Sequence, residues 1–465
     1  MKSMQRRIKG IILFVCCIIY LFVGIQPMYT KAAEDNDHAT ENPIWVDSPS
    51  IMGGSGIVME VSTGTILYEK NMHDIHYPAS ITKIMTVLLA IENCEMDEIV
   101  TVPPEAVYME DKGSHIALDA GEQLTVEQCL YAIMLASAND AAYALAEHVG
   151  GTYENFIRMM NEEAKELGCE NTNFTNPHGL PDENHVTSAY DMALITKAAL
   201  QCDMFQTVSG TSYYEILPTE HQKDLICMYN HHKMIGKTEF QNEEVFAGKN
   251  GYTDDAGHTL VTCAKRADMA VICVVMQDQG EHIYQDTLEL LNYGLDCFKK
   301  EKINEGKAFF EEMLKKENPY FENCVISKFD VDNSYVIMPK GLNISDLNIK
   351  FDYGEAETVT AQYFYENHLV GQIGLVVEGI QSKSDSPEKP VKEPLSEEKE
   401  SKGSLFNWKY IVFAIIVGIF IAGVVLKVFG EKYCGRNKKN RPGRKLKRKV
   451  IGKKMEAIII SRNPE

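Results

Sequence analysis

The sequence predicts an α/β domain carrying an all-helical insertion, followed by a small β-rich domain and a C-terminal transmembrane helix. Three observations lead there. Between residues 45 and 300, strand-like segments sit at both ends and helical patterns fill the middle. Near residue 303 the texture changes to short runs rich in Val, Ile, Tyr and Phe, which continue to residue 380. Residues 408–430 are apolar except for Lys409 and Lys427 near the ends, a length that crosses roughly 30 Å of hydrocarbon as one helix.

Each element has a local cause. Ile57 to Val61 and Thr65 to Tyr68 flank Ser62-Thr63-Gly64, which reads as a β-hairpin. After Pro78, a helix opens at Ala79-Ser80 and runs through Ile84, Met85, Val87, Leu88 and Leu89. Thr125-Val126-Glu127-Gln128 is a capping-box pattern that starts another through Leu130, Ile133, Met134 and Leu135. Further helical segments lie at about 154–167 and 188–200. Strands return at Val245 to Tyr252, Thr259 to Ala264 and Ala270 to Met276, and a last helix covers Ile283 to Phe298. In the β-rich domain, Val325-Ile326, Tyr335-Val336-Ile337 and Gly374 to Val377 are strand material, while residues 382–405 form a solvated Ser/Pro/Glu/Lys linker. No internal repeat interrupts this order.

The two ends place the body. Residues 1–33 read as an export signal: Lys2, Arg6, Arg7 and Lys9, then an apolar run from Ile11 to Ile25, then small residues at Thr30, Ala32 and Ala33. An uncleaved anchor is the other reading, and both put the main body of the chain outside the cytoplasm. Trp408 and Tyr410 stand where interfacial aromatics sit, and residues 431–465 are dense in Lys and Arg, which favours a cytoplasmic tail. The expected location is therefore the cell membrane, single-pass, with the main domains on the extracytoplasmic face and the tail against anionic lipid headgroups. A net charge of −20 over 465 residues argues against nucleic-acid binding by the body. Of the 12 cysteines, Cys16, Cys17 and Cys434 lie in the end segments, which leaves nine in the exported part. Nine is odd and no CxxC pair occurs, so buried single thiols are expected rather than a disulfide framework.

Three short pieces carry candidate chemistry. In Ser80-Ile81-Thr82-Lys83, positions i and i+3 share a helix face, so the Ser80 hydroxyl would meet the Lys83 amine. Serine needs an adjacent base, and lysine serves if burial and neighbouring cations lower its pKa. Ser137-Ala138-Asn139 follows an apolar helix; a hydroxyl and an amide at i and i+2 of a tight loop can relay a proton and hold a peptide group. Lys249-Asn250-Gly251 lies in a strand before Tyr252, where lysine can hold a carboxylate and glycine admits a substrate backbone. Taken singly, each has a bland alternative: an N-cap serine with a surface lysine, an interhelical turn, and a surface strand. No HExxH or HxH pattern occurs, so neither metal nor cofactor is expected; His178 reads as a structural hydrogen-bonder, and His231-His232 as a pair without a ligand pattern.

In this order and context the three pieces resemble the S-x-x-K, S-D-N and K-T-G set of class A β-lactamases and penicillin-binding proteins. Longer stretches are similar to the low-molecular-mass D-alanyl-D-alanine carboxypeptidases of serine peptidase family S11: Tyr77 to Thr86, Ala136 to Ala142, Asn176 to Pro181, Thr187 to Ala193, and Gly248 to Thr253. The resemblance covers about residues 50–300, with 303–380 matching that family's second domain by position and texture.

The resemblance implies a β-lactamase/transpeptidase-like fold with an antiparallel sheet. It also implies a serine-type D-Ala-D-Ala carboxypeptidase that trims peptidoglycan stem peptides and is acylated by β-lactam antibiotics. Ser80 would be the nucleophile, Lys83 its base and Ser137 a proton relay. Asn139, Lys249, Asn250, Gly251 and Tyr252 would bind substrate, with backbone N–H groups of Ser80 and Tyr252 as the oxyanion hole. One departure stands out: Asn250 occupies the place of the usual threonine, whose hydroxyl would bond the substrate carboxylate. A β-lactamase would need a glutamate-activated water, and no Glu-x-x-x-Asn pattern lies between Ser137 and Lys249. A non-catalytic wall-binding homologue has only Asn250 in its favour; a transpeptidase differs in which acceptor reaches the acyl-enzyme.

Overall fold

The computed structural model describes residues 45–108, 113–218, 221–329, 334–354 and 358–378. The expected signal at 1–33, linker at 382–405, membrane span at 408–430 and tail at 431–465 lie outside the described residues. Among the described residues, no helix is long and apolar enough to cross a membrane.

The strands in chain order are β1 (Ser55–Glu60), β2 (Ile66–Lys70), β3 (Ile99–Thr101), β4 (Gln123–Thr125), β5 (Tyr213–Ile216), β6 (Ile226–Tyr229), β7 (Val245–Thr253), β8 (Gly257–Arg266) and β9 (Met269–Asp278). The second domain holds β10 (Phe298–Lys302), β11 (Val325–Phe329), β12 (Tyr335–Pro339), β13 (Asn348–Tyr353), β14 (Thr358–Tyr365) and β15 (His368–Glu378). The helices are α1 (Lys83–Asn93), α2 (Pro104–Val107), α3 (Val126–Leu135), α4 (Asn139–Gly150), α5 (Tyr153–Glu166), α6 (Ala189–Ala199), α7 (Asp203–Gly210), α8 (His282–Cys297) and α9 (Lys307–Glu317).

The main sheet is antiparallel with strand order β2-β1-β9-β8-β7, so the predicted hairpin forms one edge and the Lys249 strand the other. Its period of two sorts the apolar residues between two cores. Ile57, Met59, Ile272, Val274 and Met276 face the helical insertion, while Val58, Val271, Cys273 and Val275 face α8. Because both faces are covered, β9 reads as a continuous apolar run rather than an alternation.

The insertion packs around α1, whose residues from Lys83 to Ala90 are all buried. The Thr125–Gln128 capping box forms as its spacing predicts, with Thr125 Oγ1 accepting from Gln128 N at 3.1 Å and Gln128 Oε1 accepting from Thr125 N at 2.9 Å. Beyond residue 297 the strands form one antiparallel sheet of order β10-β12-β15-β14-β13, with β11 beside β15. Helix α9 was not anticipated there; Phe310 and Leu314, one turn apart, bury against that sheet. Also unforeseen were the short pairs β3/β4 and β5/β6, each too brief to show a period.

Trp45 fastens the second domain to the first, stacking on His368 with ring centroids 3.9 Å apart and tilting against Phe298 at 5.2 Å. All nine cysteines of the described residues are free. Cys129, Cys263, Cys273 and Cys324 are buried as expected, but Cys227 is exposed on an edge strand and the other four are half-buried.

Candidate active site

Residues Ala79–Thr82 form a 3-10 turn, and the α-helix begins only at Lys83. This corrects the expectation of a continuous helix from Ser80, and the difference helps the chemistry. With three residues per turn, side chains at i and i+3 eclipse. Lys83 Nζ accordingly stands 3.1 Å from Ser80 Oγ.

Lys83 is fully buried, and its amine has two further neighbours: Asn139 Oδ1 at 2.7 Å and the carbonyl oxygen of His178 at 2.6 Å. Burial drives its pKa well below the ordinary lysine value, Lys249 pushes it further down, and Asp140 opposes the fall. A neutral amine has two N–H donors and one lone pair. The two carbonyl-type oxygens take the donors, which leaves the lone pair for the Ser80 hydroxyl.

The turn is held in a strained shape. Ala79 has φ 51°, in the left-handed region that costs about 1 kcal/mol or more for a residue with a Cβ. Its carbonyl accepts from Thr82 Oγ1 at 2.9 Å. Thr259 Oγ1 of β8 donates to the Pro78 carbonyl at 2.8 Å. On the other side, the loop Asn176–Leu180 folds into an Asx turn: Gly179 N donates to Asn176 Oδ1 at 2.7 Å, and Asn176 Nδ2 donates to the Leu180 carbonyl at 3.0 Å. That turn brings Gly179 so close that a Cβ there would lie 1.8 Å from the Ala79 oxygen. Gly251 of β7 is a second forced glycine: its Cβ would lie 2.7 Å from Ser80 N and 2.6 Å from Thr259 Oγ1. The Ser80 turn is thus gripped between this loop and the sheet edge.

Asn139 opens α4 and is fixed by its own N–H, which donates to the Ser114 carbonyl at 2.8 Å. Asp140 is buried and accepts from the backbone N–H of Ile116 and Leu118, each at 3.1 Å. Ser137 sits in the tight turn between α3 and α4 with φ 58° and is nearly buried. Among the described residues, no hydrogen bond joins its hydroxyl to Ser80 or Lys83.

Lys249 is also fully buried on β7, with Nζ donating to the Asn250 carbonyl at 2.7 Å and lying 3.3 Å from Asn250 Oδ1. Burial brings its pKa down to about 7. Beneath it, His232 packs under Gly248, where a Cβ would meet the imidazole at 2.8 Å, and bonds Thr262 Oγ1 at 2.9 Å. Burial and Lys249 hold His232 neutral, down to about 3. His232 is therefore a support of the strand. Tyr252 is 55% exposed, with its ring against His258 at 4.6 Å and its hydroxyl donating to Asp254 Oδ1 at 3.0 Å.

Ser80, Lys83 and Asn139 are joined directly, Lys249 acts on Lys83 through its charge, and Gly251 lies against the Ser80 backbone. The reading of His178 as structural fits: its carbonyl, not its ring, meets Lys83. Sequence reasoning did not find His185. Thr175 N donates to its Nδ1 at 2.9 Å, so Nε2 carries the proton and donates to Thr82 Oγ1 at 2.8 Å. A lone histidine outside any motif gives no signal of that role.

The chain is also similar to known proteins. The family model for D-alanyl-D-alanine carboxypeptidases matches residues 42–280. The chain is 39% identical over 226 residues to D-alanyl-D-alanine carboxypeptidase DacF of Bacillus subtilis, across 48% of this chain and 56% of that relative's length. It is 30% identical over 262 residues to a D-alanyl-D-alanine carboxypeptidase of Streptomyces sp., across 54% of this chain and 89% of the relative. Among solved structures, penicillin binding protein 6B from Escherichia coli is 25% identical, with a TM-score of 0.56 over 73% of this chain and all of that one. The Streptomyces K15 DD-transpeptidase is 28% identical, with a TM-score of 0.51 over 54% of this chain and all of that one.

Proposed function

We propose an acyl-transfer chemistry on one premise: the chain belongs to the D-alanyl-D-alanine carboxypeptidase family, serine peptidase family S11. It removes the terminal D-alanine from peptidoglycan stem peptides through an acyl-enzyme on Ser80. The observation that carries this is the setting of Lys83, a fully buried amine whose pKa burial drives well below the ordinary lysine value, bonded to Asn139 Oδ1 and the His178 carbonyl and 3.1 Å from Ser80 Oγ.

Ser80 Oγ attacks the carbonyl carbon between the two D-alanines, and its proton passes to Lys83. The backbone N–H groups of Ser80 and Tyr252 hold the oxyanion; one such donor is worth roughly 2.7–4 kcal/mol of barrier. The C–N bond breaks as the leaving amine takes a proton by way of Ser137. Water then cleaves the Ser80 ester and releases the shortened peptide. Asn139 grips the substrate's peptide group, while protonated Lys249 faces the terminal carboxylate, with Asn250 and Gly251 shaping that end. A β-lactam presents a similar acyl group and stays on Ser80. The export signal pattern, the apolar segment at 408–430 and the basic tail support a site outside the cytoplasmic membrane, anchored by one span.

The test is intact-protein mass of the full chain after exposure to benzylpenicillin, beside Ser80→Ala, with D-alanine release from a D-Ala-D-Ala tripeptide measured in parallel. One penicillin adduct and D-alanine release, both absent in the variant, are expected. Fast penicillin turnover without adduct would instead indicate a β-lactamase, and no reaction of either kind a wall-binding homologue.

A further inference from the structure

At the end of the molecule where α1 stops, a second set of side chains gathers, unconnected with acyl transfer. Cys94 caps the C-terminus of α1, Glu98 lies in the turn leading to β3, and His148 sits in the last turn of α4. One ligand atom from each, the Cys94 sulfur, a Glu98 oxygen and a His148 ring nitrogen, all lie within 4.8 Å of one another. We propose that Cys94, Glu98 and His148 form a divalent-metal site suited to Zn2+, with the fourth position open to water.

The donor set is the first argument. Thiolate, imidazole and carboxylate are the three side-chain ligands that Zn2+ takes, in tetrahedral geometry. Zn–N and Zn–O bonds of about 2.0–2.2 Å set ligand atoms about 3.3–3.5 Å apart, and a 2.3 Å Zn–S bond sets the sulfur slightly further. His148 Nε2 and Glu98 Oε2 already stand 3.2 Å apart. Closing the sulfur onto them takes about 1 Å, within reach of a side-chain adjustment.

Support around the ligands is the second. The Glu95 N–H donates to Glu98 Oε1 at 2.7 Å, which orients the carboxylate and leaves Oε2 toward His148. Such outer bonds fix first ligands in metal sites. The Glu98 backbone is itself pinned, its carbonyl accepting from Val126 N at 2.9 Å, and Cys94 N is held by the Ala90 carbonyl at 3.0 Å. The segment from Glu92 to Glu98 holds four acidic residues and no Lys or Arg, so no fixed cation in it competes with a metal.

Position gives the site a purpose. Helices α1 and α4 are tied at their N-termini by the Lys83–Asn139 bond. Eleven residues of α1 put the metal site about 16 Å away, at the other ends of the same two helices. A bound ion would clip those ends together and stiffen the pair that carries the base and the amide. Binding replaces the Cys94 S–H bond with S–Zn and frees that proton, so affinity falls as pH falls.

The full chain, stripped of metal with a chelator, is titrated with Zn2+ by calorimetry in two buffers, and with Co2+ by absorbance. One equivalent is expected to bind with one proton released and a rise in Tm, and Co2+ is expected to give a thiolate charge-transfer band. Cys94→Ser and Glu98→Gln should each weaken Zn2+ about a hundred-fold and remove the Tm rise, with circular dichroism unchanged. Absence of stoichiometric binding, or binding that survives Cys94→Ser with the cobalt band intact, overturns the site. Glu98→Gln keeps the thiol and decides the matter if Cys94→Ser does not fold.

Discussion

Lys83 and Asn139 are joined by a 2.7 Å hydrogen bond across 56 residues of sequence, and in the proposed chemistry that bond sets which way the Lys83 lone pair points. With Asn139 and the His178 carbonyl accepting its two protons, a neutral Lys83 has only its lone pair to offer Ser80. A guanidinium stays protonated at any working pH, so Lys83→Arg should lose the base while keeping the charge that the site does not want. We expect benzylpenicillin acylation to slow about a hundred- to ten-thousand-fold, the usual range for a general base. In the wild type, kcat/KM should rise with pH through the depressed Lys83 pKa, since the amine must be unprotonated to act. Stopped-flow acylation across pH checks both; a Lys83→Arg rate near wild type would remove Lys83 from the role.

Gly179 has φ 87°, and its missing side chain is where the Ala79 oxygen lies. Gly179→Ala must displace either the Asx turn or the nucleophile turn. Strain and clash together should cost roughly 2–4 kcal/mol in urea denaturation. Acylation should fall further than stability does, because the Ala79 displacement moves Ser80 directly. An equal loss of both would mean that the turn is only a packing contact.

His185 reaches the Ser80 turn through Thr82 and Ala79, so in the proposed chemistry it is a positioning residue. Burial, with Lys83 adding to it against the pull of Asp182, holds its pKa down to about 4. The folded state therefore binds fewer protons than the unfolded state between pH 6.5 and 4. This contribution to stability is whole above pH 6.5 and is lost as pH falls toward 4, on the order of 3 kcal/mol in all. His185→Gln, which can still donate to Thr82, should keep most of the acylation rate and flatten that acid loss. His185→Ala should lose about ten-fold in acylation rate at pH 7 with little change in binding. Equal rates for the two variants would show that the Thr82 contact is dispensable.

Much of this was readable in the chain because its signals were local. The β1/β2 hairpin, the Thr125 capping box, and α3, α5, α6 and α8 follow from period and caps within a dozen residues. Ser80 and Lys83 were found by spacing, Asn139 and Lys249 only because three weak pieces occurred in one order. What escaped was set by tertiary approach. The 3-10 start of the Ser80 turn depends on Gly179 and Thr259, which lie about 100 and 180 residues downstream. The His185 role depends on a turn that folds back over α1. The strand-rich runs around α9 hide the helical spacing of its Phe310 and Leu314.

Lys249 holds a charge in a place that disfavours it. Its folded pKa of about 7 is below the ordinary value of 10.5, so the unfolded chain binds more protons between those values. Its contribution to stability thus rises with pH from about 7 to 10.5, and is at its least below pH 7. Lys249→Met should be more stable than wild type at pH 6, by about 1–2 kcal/mol, with the difference shrinking as pH rises. The same variant should lose its preference for substrates that end in a carboxylate. Thermal melts of both proteins from pH 6 to 10 test this, and a difference that does not vary with pH would place the ionisation elsewhere.

Asn250 stands in the place of the threonine of the K-T-G pattern, and the fold gives it a partner: its Oδ1 lies 3.3 Å from Lys249 Nζ. That contact occupies the ammonium a substrate carboxylate needs, so binding has to break it first. A threonine hydroxyl is shorter and can instead donate to the incoming carboxylate. Asn250→Thr should raise kcat/KM for a D-Ala-D-Ala tripeptide about three- to ten-fold, mainly through KM, consistent with one hydrogen bond to a charged group. Acylation by a β-lactam methyl ester, which lacks the carboxylate, should change little. An equal gain for both compounds would mean that Asn250 acts on the Ser80 chemistry and not on the carboxylate.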